Sequence, residues 1–254
     1  MHKPVSAREL VDANRSYYDA LWGGVRLVEP ERFNTWPLVE SLLPDGEARL
    51  EVAPGLRPRL PIAGTHFLDI SMQAVAKLRA RGAAATIGVA TSLPFADCAF
   101  DLVCALDIVE HVKDEAAALG ELARVARPGA ALLISVPLHP QRWTAFDDFV
   151  GHYRRYEPER LVQILARHGL EIERSAVYGM QPKSSRLLEA GIWWLTHRRE
   201  RALWWYDRVF MPIGVRFQRP LALGEGLIET ASVDEVLMVC RKRPLESRGP
   251  VSGR

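Results

Sequence analysis

Apolar residues along this chain change their period in a regular way. Between Ser6 and Leu43 they recur at helical spacing. Leu10, Val11, Tyr17, Tyr18 and Leu21 form one set, broken by Gly23-Gly24. Phe33, Trp36, Leu38, Val39 and Leu42 form a second, closed by Pro44-Asp45-Gly46. From Ala48 onward short apolar runs alternate with helical ones. Arg49 to Ala53, His66 to Ile70, Ala84 to Val89, Phe100 to Leu106 and Ala131 to Pro137 predict strands. The run at Phe100–Leu106 is apolar around one acid, as a strand covered on both faces requires. Helices are predicted over Met72–Arg81 (Ala74, Val75, Leu78; stopped by Gly82) and over Pro158–His168 (stopped by Gly169). A third covers Asp114–Arg127, with Ala117, Leu119, Leu122 and Val125 inward and Pro128-Gly129 as the stop. Glu171–Tyr178 and Glu235–Arg241 predict a final strand pair.

Alternation of this kind predicts an α/β fold: a Rossmann-like, mostly parallel seven-stranded sheet with helices on both faces. An N-terminal helical lid occupies residues 1–46. The core takes 47–181 and 227–243, a helical insert before the last strand takes 182–226, and 244–254 form a tail. In such sheets ligands lie beyond the carboxyl ends of the central strands. The residues after Ala53, Ile70, Val89, Leu106 and Pro137 are therefore expected around one cleft.

Length and composition narrow the class. At 254 residues with 48% hydrophobic residues and a net charge of +2, one soluble domain with additions is expected. The basic residues are spread along the chain, and no basic patch with interleaved aromatics falls near the cleft, so no nucleic-acid partner is expected. Cys98, Cys104 and Cys240 follow no metal or disulfide spacing, which points to a reducing, cytoplasmic location. Neither a signal peptide nor a membrane-spanning run is expected.

The insert carries Trp193, Trp194, Trp204, Trp205 and Tyr206 among Arg198, Arg199, Arg201, Arg208, Arg216 and Arg219. A helix apolar on more than one face wants two partners. The plainest reading is a cap packed on the sheet or on a second subunit, giving a homodimer. A hydrophobic wall for a substrate and contact with a membrane surface are the alternatives.

The stretch Arg49–Ser71 holds the first candidate chemistry. Glu51 lies near the end of the first strand, the chain turns at Ala53-Pro54-Gly55, and Asp69 ends the second strand at the spacing where an acid takes ribose hydroxyls. Pro58 and Pro61 allow at most a turn of helix after the turn, which argues against a pyrophosphate and for a ligand without phosphates. The N-terminal segment either simply packs on the core, the plainer reading, or closes over this cleft with Tyr17 or Tyr18 covering the ligand.

Leu93-Pro94-Phe95, then Phe100-Asp101-Leu102-Val103, then Asp107-Ile108-Val109-Glu110-His111-Val112 make the most specific signal. With Arg127-Pro128-Gly129 and the following strand, and with Gly151-His152-Tyr153-Arg154-Arg155-Tyr156, the chain from about Leu50 to Pro137 resembles the class I S-adenosylmethionine-dependent methyltransferases, in the type 11 branch. The resemblance implies S-adenosylmethionine as cofactor. Glu51, Ala53, Pro54 and Gly55 would face its methionine part, and Asp69 the ribose. Ile70, Ala90 and Thr91 would face the adenine, and Leu106 and Asp107 the sulfonium end; Tyr18 is a cofactor-covering candidate from the lid reading alone. Two departures stand out: Ala53 and Arg57 replace glycines of the first turn, and Val89 replaces an acid.

A base is needed only when the acceptor carries a proton of high pKa. His111, His139 and His152, near strand ends, are the catalytic candidates. Asp147, Asp148, Arg154, Arg155 and Tyr156 frame either an acceptor or an ion-pair cluster. No metal site is assigned: Asp107, Glu110 and His111 fall within one helical turn, where acids favour a helix start. The expected activity is methyl transfer to O, N or C of a small, rather apolar molecule. A non-catalytic partner of the same fold and a membrane-surface quinone or lipid methyltransferase are the alternatives.

Overall fold

The computed structural model describes residues 18–43, 46, 48–179 and 185–244. Its strands are β1 (Arg49–Val52), β2 (Thr65–Asp69), β3 (Ala84–Ile87), β4 (Phe100–Leu106), β5 (Ala126–Pro137), β6 (Leu170–Val177), β7 (Gly224–Glu225) and β8 (Glu235–Lys242). They form one sheet in the order β3-β2-β1-β4-β5-β8-β6-β7. The first five are parallel; β8, β6 and β7 complete the sheet antiparallel. The sheet thus has eight strands rather than the expected seven. The additional β7 spans only two residues, pairing Gly224 with Ser175 and Glu225 with Arg174. Two residues are too few for a period-two pattern to register in sequence.

Successive side chains in a strand face opposite ways, and this sorts the core. Val103 and Ala105 of β4 join Leu50, Leu132 and Ile134 in a layer closed by Leu119, Leu122, Leu161 and Leu165. Leu102 and Cys104 join Leu133, Leu237 and Val239 in the other, closed by Leu38, Val39 and Leu60. Glu51 lies in register with Phe67 on one side and Cys104 on the other. Its carboxyl therefore belongs to the second layer, beneath the loop that follows β1.

Residues 18–23 are helical (α1). There follow α2 (Trp36–Leu42), α3 (Met72–Ala80), α4 (Glu115–Val125), α5 (Ala145–Val150), α6 (Pro158–Arg167), α7 (Ser185–His197), α8 (Arg199–Trp205), a π-helical turn over Tyr206–Phe210, and α9 (Met211–Arg216). Of the first predicted helical set, the part before Tyr18, Tyr17 included, lies outside the described residues, as do 245–254 of the tail. Two helix details differ from expectation. Ala118, not Ala117, is buried with Leu119, Leu122 and Val125. Nor does Pro128-Gly129 stop α4, because Ala126 already pairs with Phe100 in β5. The ladder captures the backbone before the proline is reached.

The insert packs on the entrance to the cleft. Leu203 of α8 is buried with Val25, Leu56 and Ala74, and Met211 and Val215 of α9 with Phe33. Trp193, Trp204, Trp205, Phe210 and Phe217 remain exposed. Among the described residues no helix is long and apolar enough to cross a membrane.

Candidate active site

Backbone strain marks the cleft. Ala53, Asp107 and His139 hold φ of 55°, 52° and 62°, a left-handed conformation that side chains disfavour. Each costs about 1 kcal/mol or more. They stand one residue past β1, one past β4 and two past β5, at the carboxyl ends of three adjacent strands. Strain concentrated this way is retained where a fixed backbone serves a ligand. Cys98 is also left-handed, but it lies before β4, at the other end of the sheet.

The β1 turn is stapled by the two acids. Asp69 Oδ2 accepts from the Gly55 N–H at 2.8 Å and Oδ1 from the Ser71 N–H at 2.8 Å. Both Glu51 oxygens accept from the Arg59 N–H, at 2.9 and 3.0 Å, and Oε2 also from the Leu60 N–H at 2.9 Å. Both acids are buried. Burial pushes Glu51 up to about 7 and Asp69 up to about 6, against the lowering effect of those N–H donors. Pro58 and Pro61 keep the segment after the turn out of any helix, as expected.

The N-terminal segment closes this turn from above. A Cβ on Gly55 would lie 2.2 Å from the Trp22 ring, so the indole rests on bare backbone. Asp19 Oδ1 accepts from Ser71 Oγ at 2.6 Å and from the Gln73 N–H at 3.1 Å. Lys77 Nζ ties down the carbonyls of Trp22, Gly23 and Val25 at 2.7–2.8 Å. Tyr18 reaches past β1 altogether: its hydroxyl lies 3.4 Å from His111 Nδ1. The insert supports the same loop. Asp207 accepts from Arg26 Nε at 2.9 Å and lies 3.7 Å from Arg57, whose guanidinium faces the Trp22 and Tyr206 rings.

On the β4 side, the Asp107 N–H donates to Ser135 Oγ at 2.9 Å, and the Ser135 hydroxyl donates back to Asp107 Oδ1. Burial first, and then Asp107, pushes Glu235 well above the carboxylate range. The next turn brings His111 against His152, ring centres 4.5 Å apart and nearly perpendicular. Burial, and then His152, lowers His111 to about 3. Both effects favour the neutral imidazole.

The other candidates separate. His139 is not part of this group: its Nε2 lies 2.8 Å from the Thr230 carbonyl, a loop tie that fixes the left-handed turn. Ala90 and Thr91 form the tip of a tight turn closed by a Val89–Ser92 bridge. Ile70 follows Asp69 and is half-buried, and Leu106 packs against the second core layer. Arg155 forms a buried ion pair with Asp147, Nε to Oδ1 at 2.8 Å. Arg154 donates to the carbonyls of Val112 and Lys113 at 2.9 and 2.7 Å. Asp148 accepts from Trp143 Nε1 at 3.0 Å. These groups hold chain segments together.

Sequence reasoning missed Trp22, Arg59, Tyr178, Ser135 and Glu235. Arg59 is held by Tyr178, whose hydroxyl lies 3.3 and 3.2 Å from its Nε and second terminal nitrogen, and its guanidinium stacks 3.6 Å from the Phe33 ring centre. Trp22, an aromatic directly before Gly23-Gly24, was a visible signal. The partners of Arg59 were not, since Tyr178 is 119 positions away.

The arrangement suits a cationic nucleoside. Two buried carboxylates raised by burial favour a positively charged ligand beside them. A left-handed turn ending in Gly55 exposes backbone to close approach. The residues fit such a group with the Trp22 indole displaced from the turn.

Known proteins point the same way. The family model described as a methyltransferase domain matches residues 54–134. A probable S-adenosylmethionine-dependent methyltransferase of Mycolicibacterium smegmatis is 34% identical over 112 residues, covering 42% of this chain and 43% of that protein. The chain spans about two fifths of the length of the curated relatives it matches. Among solved structures, a possible histamine N-methyltransferase of Thermotoga maritima superposes with a TM-score of 0.57 at 15% identity, over 91% of this chain and 96% of that one. A phosphoethanolamine N-methyltransferase of Haemonchus contortus, solved with S-adenosylhomocysteine, gives 0.56 at 17% identity, over 95% of this chain and 61% of that one. The likeness to both structures is one of fold.

Proposed function

We propose that this chain is a class I S-adenosylmethionine-dependent methyltransferase that transfers a methyl group to a small-molecule acceptor in the cytoplasm. The observation that carries the proposal is the placing of three left-handed residues, Ala53, Asp107 and His139, at the ends of β1, β4 and β5. Two buried acids and the His111–His152 pair lie in the same region.

S-adenosylmethionine, when bound, supplies an electrophilic methyl on a sulfonium and departs as a neutral thioether. Asp69 would hold the ribose, and it already fixes the turn through Gly55. Glu51 would balance the ammonium through the loop it braces at Arg59 and Leu60. Ala90 and Thr91 would border the adenine. Trp22 and Tyr18 would form a lid that excludes water once closed. Holding donor and acceptor in line supplies most of what a displacement of this kind requires. The exposed tryptophans of the insert would serve as a dimer or membrane contact outside the cleft.

Asp69→Ala tests the assignment. Equilibrium dialysis should show at least tenfold weaker binding of S-adenosylhomocysteine to the variant, provided its melting remains cooperative. Unchanged affinity would place the cofactor elsewhere.

A further inference from the structure

Glu110, His111 and His152 each offer one ligand atom, and the three atoms lie within 4.8 Å of one another. The chain brings them together from two segments: the turn after β4, and the loop that follows α5. Glu110 is 1% exposed, and its Oε2 is buried with no hydrogen-bond partner. Its Oε1 stands 4.0 Å from His152 Nε2. Leaving a buried carboxylate oxygen unpaired is costly, so native structures rarely keep one without a reason. His152 is oriented from behind: Asp147 Oδ1 lies 2.8 Å from its Nδ1 and turns Nε2 toward Glu110. Asp147 is itself fixed by Arg155 at 2.8 and 2.9 Å and by its place in the α5 capping box. A carboxylate behind an imidazole is the support that metal-ligating histidines ordinarily have.

We infer that Glu110, His111 and His152 bind one divalent first-row metal ion. Two imidazoles and one carboxylate suit iron(II), manganese(II), cobalt(II) or zinc(II) rather than calcium or magnesium. Three protein ligands leave coordination positions open. Asp107, three residues before Glu110 and left-handed at the end of β4, places the ion beside the cleft. If the chain is a methyltransferase as proposed, the open positions would hold an acceptor through oxygen. That part rests on the proposed function; the ion site does not. The local spacing of Asp107, Glu110 and His111 pointed to no metal; His152, 41 positions after His111, adds a ligand atom that local spacing does not show.

The test uses the whole chain, freed of metal by a chelator and titrated with cobalt(II) alone, without any cofactor. Visible absorption should saturate at one ion per chain. Glu110→Gln and His152→Asn should each weaken binding at least tenfold, and His139→Asn should leave it unchanged. Should a variant fail to fold, paramagnetic broadening in the wild-type chain decides. Of the seven histidines, the ring signals of His111 and His152 should broaden first. No stoichiometric binding, equal affinity in Glu110→Gln and wild type, or broadening centred on other histidines would overturn the inference.

Discussion

The Trp22 indole lies against the main chain of Gly55, leaving no room for even one methyl group between them. Gly55 is therefore required twice: for its φ of +54° and for the bare backbone beneath the ring. Any ligand resting on this turn shares that face with Trp22. Binding of S-adenosylhomocysteine should move the indole and change its fluorescence. Trp22→Phe should bind the ligand while losing most of that change, measured in a stopped-flow titration. An identical signal in wild type and variant would mean that the lid does not answer to the site.

Ala53 shows the opposite case, a side chain where glycine would be at ease. Its left-handed φ of 55° costs about 1–2 kcal/mol, against about 0.5–1 kcal/mol of extra entropy that glycine loses on folding. The strain is the larger effect. Ala53→Gly should stabilise the chain by up to about 1 kcal/mol, which raises the melting temperature by about 2–4 °C at this size. Urea titration checks it, and a loss of stability would show that the left-handed backbone is held without strain.

Glu51 and Asp69 set a pH dependence with a definite sign. Their carboxyls titrate at about 7 and about 6 in the folded chain, above the ordinary values of 4.5 and 3.8. The folded state therefore binds more protons than the unfolded state in this window. Stability from these groups is fully present below about pH 4 and is lost as pH rises through 6 to 7. For Glu51 alone the span is on the order of 3 kcal/mol. Glu51→Gln should flatten this fall in chemical denaturation between pH 5 and 8. A cationic ligand prefers the ionised acids, so affinity for S-adenosylmethionine should rise over the same interval.

Asp147 and Arg155 are both buried and compensate each other. Removing one charge strands the other. Asp147→Ala should cost about 3–5 kcal/mol and, with the capping box lost, fray α5. Thermal melting should show it, whereas Asp148→Ala, at an exposed position, should melt within about 0.5 kcal/mol of wild type.

Much of the fold was legible because its signals are local. The apolar run of β4, the spacing of Leu119 and Leu122, and the glycines after α3 and α6 each act within a few residues. The paired acids Glu51 and Asp69 were legible for the same reason, lying at strand ends. Other features depend on contacts that spacing cannot show. The His111–His152 pair, the Tyr178 hold on Arg59 and the Arg26–Asp207 tie join residues 41, 119 and 181 positions apart. The histidines illustrate the limit most clearly. Three looked alike in sequence, yet burial sets His111 edge-on against His152, His139 is tied to a carbonyl and His152 is turned toward a carboxylate.

Isothermal calorimetry of the wild-type chain with S-adenosylmethionine and with S-adenosylhomocysteine tests the central claim most directly. The predicted result is one site per chain for both ligands, each weakened at least tenfold in Asp69→Ala. Heat from neither ligand, with no shift in melting temperature from either, would contradict it.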